Sequence, residues 1–360
     1  MLWTASMADD TKDVISSGAG LAAVLPAEGA LDTSDAVVAR GYWEQVWRRF
    51  KRDKVAMAGG VFIIFLFVVA YVGAPIAAHV LGHGPDDQFA GALDPKTLLP
   101  VGPWTHVSTL PYVGAVGHFG TTLFVLGGDG QLGRDEFLRL LYGAQTSLEV
   151  AIGATVLSMV VGVIMGAMAG YFGGVTDTVV SRLTEIVMAF PILLFIIALA
   201  STAGDRLNRI TLGGLFGEGV VTLILVLGFF GWYYPARIVR AQVLSLREKE
   251  FIEAARMVGA HDWRIIRSHL LPHLVAPIIV LSTITIAQFI LAEAGLSFLG
   301  IGIQEPLVSW GTMMREAQSL QTLGSNPWLM WPAAFIVFAV IGFNFLGDGL
   351  RDAVDPYSIV

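Results

Sequence analysis

The residue types that carry covalent catalysis are scarce in this chain. It contains no cysteine, which excludes thiol nucleophiles, disulfides and thiolate zinc sites. Residues 295–299 read Gly-Leu-Ser-Phe-Leu, and the leucine in fifth place excludes a serine nucleophile elbow, which ends in glycine. His79 and His83 have a spacing that could hold a metal only weakly, and we interpret both as solvated.

Machinery for nucleotide hydrolysis is also absent from the sequence. No lysine follows a glycine, so there is no Gly-Lys-Ser/Thr phosphate loop, and no His-Glu-x-x-His motif occurs. The net charge of −7 argues against nucleic acid as a partner. We therefore predict a chain that is not an enzyme and that holds no catalytic residue, metal or cofactor of its own.

The most informative residues form a basic loop, residues 237–272. Good helix formers run from Glu248 to Val258, and Gly259 suits a left-handed stop. Asp262 can cap a second short helix, which Pro272 should end. We therefore predict two short helices within this loop.

One face of the first predicted helix is apolar. Phe251, Ala254, Ala255 and Val258 recur at i, i+3, i+4 and i+7 and therefore share that face. The adjacent alanines leave room for another surface to approach closely. A helix with an apolar face and no obvious cover within its own chain is predicted to dock onto a partner.

Six apolar segments flank this loop and predict an all-α, polytopic membrane protein with six transmembrane helices. Hydrophobic residues make up 55% of the chain and charged residues 14%, a balance typical of chains in lipid. A span needs about 20 residues of low polarity. The segments are Val55–Ala78, Val150–Gly170, Ile186–Ala200, Gly219–Ala236, Leu274–Ala292 and Trp328–Gly347. Pro191 and Pro277 should kink the third and fifth.

The direction of the spans follows from the distribution of lysine and arginine. Residues 47–54 contain five basic residues in eight, and the loop 237–272 contains seven, whereas residues 79–142 contain only three. Basic loops remain on the cytoplasmic side. The N- and C-termini and the loop 237–272 are therefore predicted to be cytoplasmic, and residues 79–142 extracytoplasmic.

These signals divide the chain into five predicted regions. Residues 1–44 form an acidic, disordered cytoplasmic tail. Residues 45–54 form a basic helix at the lipid headgroups. The first span, 55–78, leads to an extracytoplasmic loop, 79–142, and residues 143–357 form the core with five more spans.

Small residues recur every fourth position in the second predicted span, at Ser158, Gly162, Gly166 and Gly170. Such a stripe allows close approach of another helix, either from this chain or from a second membrane chain, and Ser158 could add an interhelical hydrogen bond. Charged residues also occur at predicted span ends, where we expect structural packing or ion pairing. These are Glu185, Glu293 and Asp348.

The basic loop resembles the EAA loop of ABC importer permeases. Glu253, Ala254 and Ala255 are followed by Gly259, and then by Leu271 and Pro272 at twelve and thirteen positions beyond that glycine. The resemblance implies a type I importer permease fold. It also implies that these residues couple the spans to the nucleotide cycle of ATPase subunits, which bind ATP and Mg²⁺ in place of this chain.

A second stretch resembles the gating segment of dipeptide and oligopeptide permeases, and the C-type (second-type) subunit is the better match. Residues 132–148 include Gly133, Arg134, Asp135, Tyr142 and Gly143. Arg134 and Asp135 could cap or brace the following helix, or be solvated in a loop. The resemblance covers about residues 45 to 357. It departs from the family before Gly133, where extra residues include Gly127, Gly128 and Asp129, so that the outer loop should be reshaped.

The resemblance implies a set of partners and a location. The partners are a second homologous permease subunit, two ATP-binding-cassette ATPase subunits, an extracytoplasmic substrate-binding protein and membrane lipid. The location is the cell membrane of a bacterium or archaeon, as a multi-pass protein. Di- or oligopeptides are the expected substrate, and nickel chelates or glutathione-like compounds are the alternative.

Two other classes of protein compete with this interpretation. An ion-coupled secondary carrier would need paired charges near the middle of the bilayer, and the predicted spans contain none there. A membrane hydrolase would need a catalytic constellation, and the sequence contains no such set. We therefore expect transport driven by ATP hydrolysis on partner chains.

Overall fold

A computed structural model describes residues 42–108, 120–191, 194–199, 202, 206, 209–318 and 320–354. These described residues are mostly helical, at 73%. The chain divides into two units, Met1–Gln45 and Val46–Val360. Most of the predicted acidic tail, 1–44, lies outside the described residues.

The helices are joined mostly by short connections, with longer segments between the second and third and between the fourth and fifth. In chain order they are α1 (Tyr42–Arg52), α2 (Lys54–Leu81), α3 (Glu136–Phe172), α4 (Gly174–Ala189), α5 (Val220–Gly231), α6 (Tyr233–Arg247), α7 (Glu250–Met257), α8 (Asp262–Phe298), α9 (Trp310–Met314), α10 (Leu320–Ser325) and α11 (Pro327–Val354). Two of them contain a π turn, α2 at Val69–Gly73 and α8 at Ile266–Leu270, and α11 begins with a 3-10 turn.

Within the described part of the chain, four helices are long and apolar enough to cross a membrane: α2, α3, α8 and α11. The pair α5 and α6, bent by 41°, provides a fifth span if it is counted as one. The third predicted span, Ile186–Ala200, is not a continuous helix: α4 ends at Ala189, Phe190 is extended, and helix resumes at 194–199. The break precedes Pro191, whose ring disfavours helix in the residue before it.

The helix ends differ from the sequence prediction because helices continue beyond the apolar core of the bilayer. α3 begins at Glu136 and not at Val150, so residues 136–142 of the predicted outer loop are helical. α6 extends to Arg247, and α8 starts at Asp262. A helix of 37 residues is about 55 Å long, whereas the hydrocarbon layer is about 30 Å thick.

The predicted basic helix 45–54 is interrupted at Asp53. α1 ends at Arg52, and the Asp53 carboxylate caps α2 by accepting hydrogen bonds from the backbone N–H groups of Val55 (2.8 Å) and Ala56 (3.1 Å). Phe50 of α1 is buried with Ala353 of α11. The basic segment therefore lies against the first and last long helices.

The stripe of small residues on α3 packs against α6 of the same chain. A Cβ atom placed on Gly162 would lie 2.7 Å from a Pro235 side-chain carbon, and one on Gly170 would lie 2.8 Å from Cβ of Val243. The stripe is thus used for packing within the chain. The expected hydrogen bond of Ser158 is not formed, since its buried Oγ contacts no donor or acceptor among the described residues.

The described residues between α2 and α3 form two small antiparallel sheets. β1 (Thr105–Ser108) pairs with β2 (Thr121–Phe124), with Thr105 opposite Phe124. β3 (Gly128–Asp129) pairs with β4 (Arg134–Asp135), which leads directly into α3. The main apolar core lies among α2, α3, α5, α8, α9 and α11.

Candidate functional site

The Glu-Ala-Ala loop begins with α7, and this helix ends just before Gly259, as the sequence predicts. Gly259 has φ of +82°, the left-handed conformation of a helix stop. The backbone N–H of Ala260 donates to the carbonyl of Ala255 at 3.0 Å, which closes the last turn. The reversal at Gly259 directs the chain into α8.

The start of α8 differs from the prediction by one residue. His261, not Asp262, occupies the cap position, and its ring nitrogen accepts from the N–H of Trp263 at 3.4 Å. Asp262 is the first helical residue, and its carboxylate instead accepts a hydrogen bond of 2.7 Å from the hydroxyl of Tyr171 in α3. The loop is therefore attached to α3.

Pro272 does not end a helix, in contrast to the prediction. α8 continues through Pro272 and Pro277 to Phe298. Just before Pro272 the helix adopts a π turn, in which the N–H of Leu271 donates to the carbonyl of Ile266. Because proline has no N–H to donate, this local change in the hydrogen-bond ladder accommodates it.

Buried apolar contacts hold the base of the loop, whereas the residues at its tip are exposed. Ile252 of α7 is fully buried with Val243, Ile265 and Leu270. In contrast, the exposed fractions are 82% for Met257, 88% for Val258 and 64% for Trp263. The six predicted coupling residues are exposed at Glu253, Ala254, Gly259 and Pro272, and half-buried at Ala255 and Leu271. An exposed apolar tip on a fixed base is a geometry suited to a docking partner.

The Gly-Arg-Asp segment at the other end of α3 is a folded turn. Gly133 has φ of +63°, and a Cβ atom there would overlap the carbonyl oxygen of Phe89. Asp135 caps α3 by accepting from the N–H groups of Phe137 (2.8 Å) and Leu138 (3.3 Å). Of the two interpretations left open by the sequence, the structure shows the cap.

His83 lies beside this cap and is not solvated, so that our interpretation of it was wrong. Its ring is buried, with Nε2 at 3.1 Å from Asp135 and Nδ1 at 3.2 Å from the hydroxyl of Thr122. Phe89 and Phe124 pack against the ring. His79 is exposed. No sequence signal linked His83 to Asp135, because the two residues are 52 positions apart.

The extra residues before Gly133 place a carboxylate between two buried arginines. Asp129, fully buried in β3, is in ion-pair contact with Arg139 of α3 and lies 3.6 Å from Arg134. Arg134 also pairs with Glu305 at 2.9 Å. Burial raises the pKa of Asp129 despite both arginines. The sequence shows the insertion, but it gives no signal that Asp129 pairs with the two arginines.

The remaining predicted gate residues, Tyr142 and Gly143, lie further along α3, in the part of that helix that packs against α9. A Cβ atom on Gly143 would lie 3.3 Å from the backbone of Ser309 and 3.4 Å from the Trp310 ring. That ring is fully buried, and its Nε1–H donates to the carbonyl of Leu140 at 3.1 Å. Tyr142 is half-buried beside the main core. The cap, the two arginines and this contact all lie at or near the start of α3.

The structure contains a cleft of about 630 Å³ between α4 and α6. Its lining combines hydroxyl, charged and apolar groups: Val180, Ser181, Thr184, Glu185, Met188, Ala189, Ala236, Arg237 and Arg240. Glu185 pairs with Arg182 at 2.6 Å, as expected for a structural ion pair. Asp177 of α4 pairs with Arg240, which lowers the pKa of that carboxyl. Over the described ranges, no cluster of three or more His, Asp or Glu residues is arranged to hold a metal ion.

More than half of the chain, including the Glu-Ala-Ala loop, matches one family of membrane components. Residues 158–358 match the family described as binding-protein-dependent transport system inner membrane component. The chain belongs to this family, the permease subunits of ABC importers.

A second match, in the N-terminal part of the chain, narrows the assignment to a subfamily. Residues 41–100 match the N-terminal transmembrane domain of oligopeptide transport permease C. The chain is thus a C-type member of the dipeptide and oligopeptide permeases, as the resemblance implied.

Similar proteins cover most of the chain. The dipeptide transport system permease protein DppC of Bacillus subtilis is 38% identical over 88% of this chain and 86% of its own length. The oligopeptide permease OppC of Haemophilus influenzae is 34% identical over 88% and 89%. The glutathione permease GsiD of Pectobacterium atrosepticum is 33% identical over 87% and 91%. Among solved structures, the MetNI methionine ABC transporter in an inward-facing conformation is 20% identical, with a TM-score of 0.46 over 61% of this chain and 97% of that one.

Proposed function

We propose that this chain forms half of the pathway of an ATP-driven peptide importer in a bacterial or archaeal cell membrane. The observation that carries the proposal is the exposed apolar tip of the Glu-Ala-Ala loop, mounted on the long helix α8. Two ATPase subunits would bind ATP and Mg²⁺, and one of them would hold this tip. A second permease chain would complete the pathway.

The orientation of the chain is part of the same proposal. With the Glu-Ala-Ala loop and the basic helix α1 on the cytoplasmic side, the Gly-Arg-Asp segment and the two small sheets face the binding protein. A sixth span would be completed around 194–199, next to the break at Phe190. The basic residues of both inner segments support this arrangement.

Transport would proceed by alternating access. ATP binding closes the two ATPase subunits and moves the Glu-Ala-Ala loops, so that the spans open outward and accept cargo from the binding protein. Hydrolysis restores the inward-facing state. The cleft lined by Thr184, Glu185 and Arg237 offers both hydrogen-bonding and charged groups to a zwitterionic peptide, and we place it along the pathway.

A single substitution tests the docking surface. Val258→Asp places a charge on the apolar tip, and we expect the ATPase subunits to be lost on purification and peptide uptake to fall. Val175→Asp, at a position 81% exposed but outside the loop, is the matched control and should retain both. Full uptake with stoichiometric ATPase subunits in Val258→Asp would overturn the docking proposal.

The substrate class rests on the relatives, whose names specify dipeptides, oligopeptides and glutathione. Uptake of labelled peptides of graded length, glutathione and nickel should be compared in cells with the whole transporter and in cells lacking this chain. Loss of peptide uptake alone supports the proposal. Loss of nickel or glutathione uptake alone would transfer the cargo to that alternative and leave the coupling mechanism in place.

A secondary carrier is the weaker alternative. Two of the carboxyl groups within the candidate spans directly flank the predicted apolar segments, Glu149 in α3 and Glu293 in α8. The Glu149 carboxylate is 3.5 Å from the hydroxyl of Tyr71 and Glu293 is bound by serines. Neither contact is a charge pair, and membership of the ABC permease family supports ATP-driven transport.

A further inference from the structure

Glu293 is a buried carboxyl group that the coupling model above does not use. Its side chain has no exposed surface, in agreement with the structural packing expected for this residue at a span end. Its two oxygens accept hydrogen bonds from Ser147 of α3 (2.8 Å) and Ser297 of α8 (2.7 Å). A carboxyl group in this position is costly unless it has a function or a structural partner.

The same two hydroxyl groups also bind the backbone of the segment that follows α8. The Oγ of Ser147 accepts from the N–H of Trp310 at 3.2 Å, and the Oγ of Ser297 accepts from the N–H of Ile303 at 3.0 Å. A Cβ atom on Gly311 would lie 2.7 Å from Cβ of Ser297. Glu293 therefore organises a closely packed junction, which we call the Glu293 junction, between α3, α8 and α9.

Helix α8 connects this junction to the Glu-Ala-Ala loop. Asp262, at its start, is bound by Tyr171 of α3, and Glu293, near its end, is bound by Ser147 of the same helix. The two contacts lie about 47 Å apart along α8. Side-chain hydrogen bonds therefore join α3 to α8 near both ends of α8. The partners are 91 positions apart in the first pair and 146 positions apart in the second.

We propose that Glu293 is a positioning residue, through which movement of the Glu-Ala-Ala loop is transmitted along α8 to the outer parts of α3 and α9. The inference rests on the proposed function, because it requires a loop that ATPase subunits move. A helix transmits displacement along its axis, but the outer end must be attached to α3 and α9 to move them. The Glu293 carboxylate supplies that attachment through Ser147 and, with Ser297, through the backbone of the following segment.

The test uses the complete transporter with its binding protein in proteoliposomes, with uptake and ATP hydrolysis measured in the same vesicles. We expect Glu293→Ala to lower peptide uptake per ATP hydrolysed by at least about fivefold, the lower end of typical coupling between sites. Glu293→Gln keeps the side-chain volume and one acceptor oxygen, and should recover part of the coupling. The control is Thr285→Val in the same helix, since the buried hydroxyl of Thr285 donates to the carbonyl of Leu281 within its own helix.

A combined variant distinguishes coupling from general loss of structure. Ser147→Ala with Ser297→Ala leaves the carboxyl in place and removes its two donors, and should reduce uptake per ATP in the same direction. Adding Glu293→Ala to that variant should cause little further loss, because all three residues belong to one junction. If Glu293→Ala fails to assemble, the serine variant decides the question.

Wild-type uptake per ATP in Glu293→Ala, or in the serine variant, would overturn the inference. The proposed function fails separately, if the wild-type transporter shows no ATP-driven peptide uptake. If Val258→Asp abolishes ATPase binding while Glu293→Ala retains full coupling, the docking proposal stands and the role of Glu293 is wrong.

Discussion

The hydroxyl of Tyr171, near the end of α3, donates a 2.7 Å hydrogen bond to the carboxylate of Asp262, at the start of α8. Arg256 of α7 lies over the same tyrosine ring at 5.4 Å. One side chain therefore contacts both helices of the Glu-Ala-Ala loop. The loop is attached to the body of the permease by this polar contact as well as by the buried apolar side chain of Ile252.

Removing that hydroxyl should loosen the loop without removing its apolar support. We predict that Tyr171→Phe lowers the free energy of unfolding by about 1 kcal/mol, the usual contribution of a hydrogen bond, and reduces uptake per ATP. Asp262→Ala should give a similar loss, and the double variant should lose little more, because both changes break one bond. Thermal unfolding and coupled transport assays measure the two effects, and simple additivity would contradict the prediction.

Two glycine-to-alanine substitutions should change stability in opposite directions. A Cβ atom on Gly166 would lie 2.5 Å from the carbonyl oxygen of Ala236, so Gly166→Ala should force α3 and α6 apart at a cost of about 1–3 kcal/mol. Gly295 lies in α8 with no atom within 4 Å of its Cβ position, and Gly295→Ala should stabilise the helix by about 0.5–1 kcal/mol. Thermal midpoints of the two purified variants provide the comparison. A stability loss at Gly295 equal to that at Gly166 would show that the α3–α6 contact is not the cause.

Much of the fold could be predicted because apolar length and helix-stop chemistry are local properties. The apolar segments located α2, α3, α5, α8 and α11, and Gly259 located the end of α7. Helix boundaries were predicted less accurately. Asp135 caps α3 well before the apolar segment begins at Val150, and the π turn before Pro272 lets α8 continue through a proline that was expected to end the helix.

The contacts at the candidate sites were harder to predict because they join distant parts of the chain. The pairs His83 with Asp135, Tyr171 with Asp262 and Ser147 with Glu293 are 52, 91 and 146 positions apart. Their meeting depends on helix packing, which no local pattern encodes. The sequence identified Asp135 and the Glu-Ala-Ala loop as important, but not the partners that hold them.

The N-terminal cap of α3 should contribute more to the stability of the folded chain than the similar cap of α2. Asp135→Ala removes the acceptor for two N–H groups, at a cost of about 1 kcal/mol, and also leaves the buried His83 ring without its carboxylate partner, a further cost of about 1–3 kcal/mol. Asp135→Asn should retain most of the cap and lose only the charge beside His83. Asp53→Ala, which removes the cap of α2 alone, is the control. Denaturation of the three variants should rank Asp135→Ala as the least stable, and an equal effect of Asp53→Ala would argue against a role for His83.

Two glutamates at the charge cluster around Asp129 should show opposite effects on stability. Burial would raise the pKa of Glu305, but hydrogen bonding and the charge of Arg134, with Arg139, lower it overall from 4.5. Burial, with the charge of Asp129, raises the pKa of Glu316 above 4.5. At pH 7.5 the ionised form of Glu305 therefore stabilises the folded chain, whereas ionised Glu316 destabilises it.

We accordingly predict that Glu305→Gln lowers the thermal midpoint at pH 7.5 and that Glu316→Gln raises it, each by about 1–3 °C given the modest strength of partly exposed charges. As pH falls below 4.5 the gain from Glu316→Gln should disappear, since the carboxyl is then protonated in both states. The loss from Glu305→Gln should persist to lower pH, because the lowered pKa keeps that carboxylate charged in the folded state. Midpoints of both variants measured from pH 7.5 to pH 4 test the assignment, and shifts of the same sign at pH 7.5 would refute it.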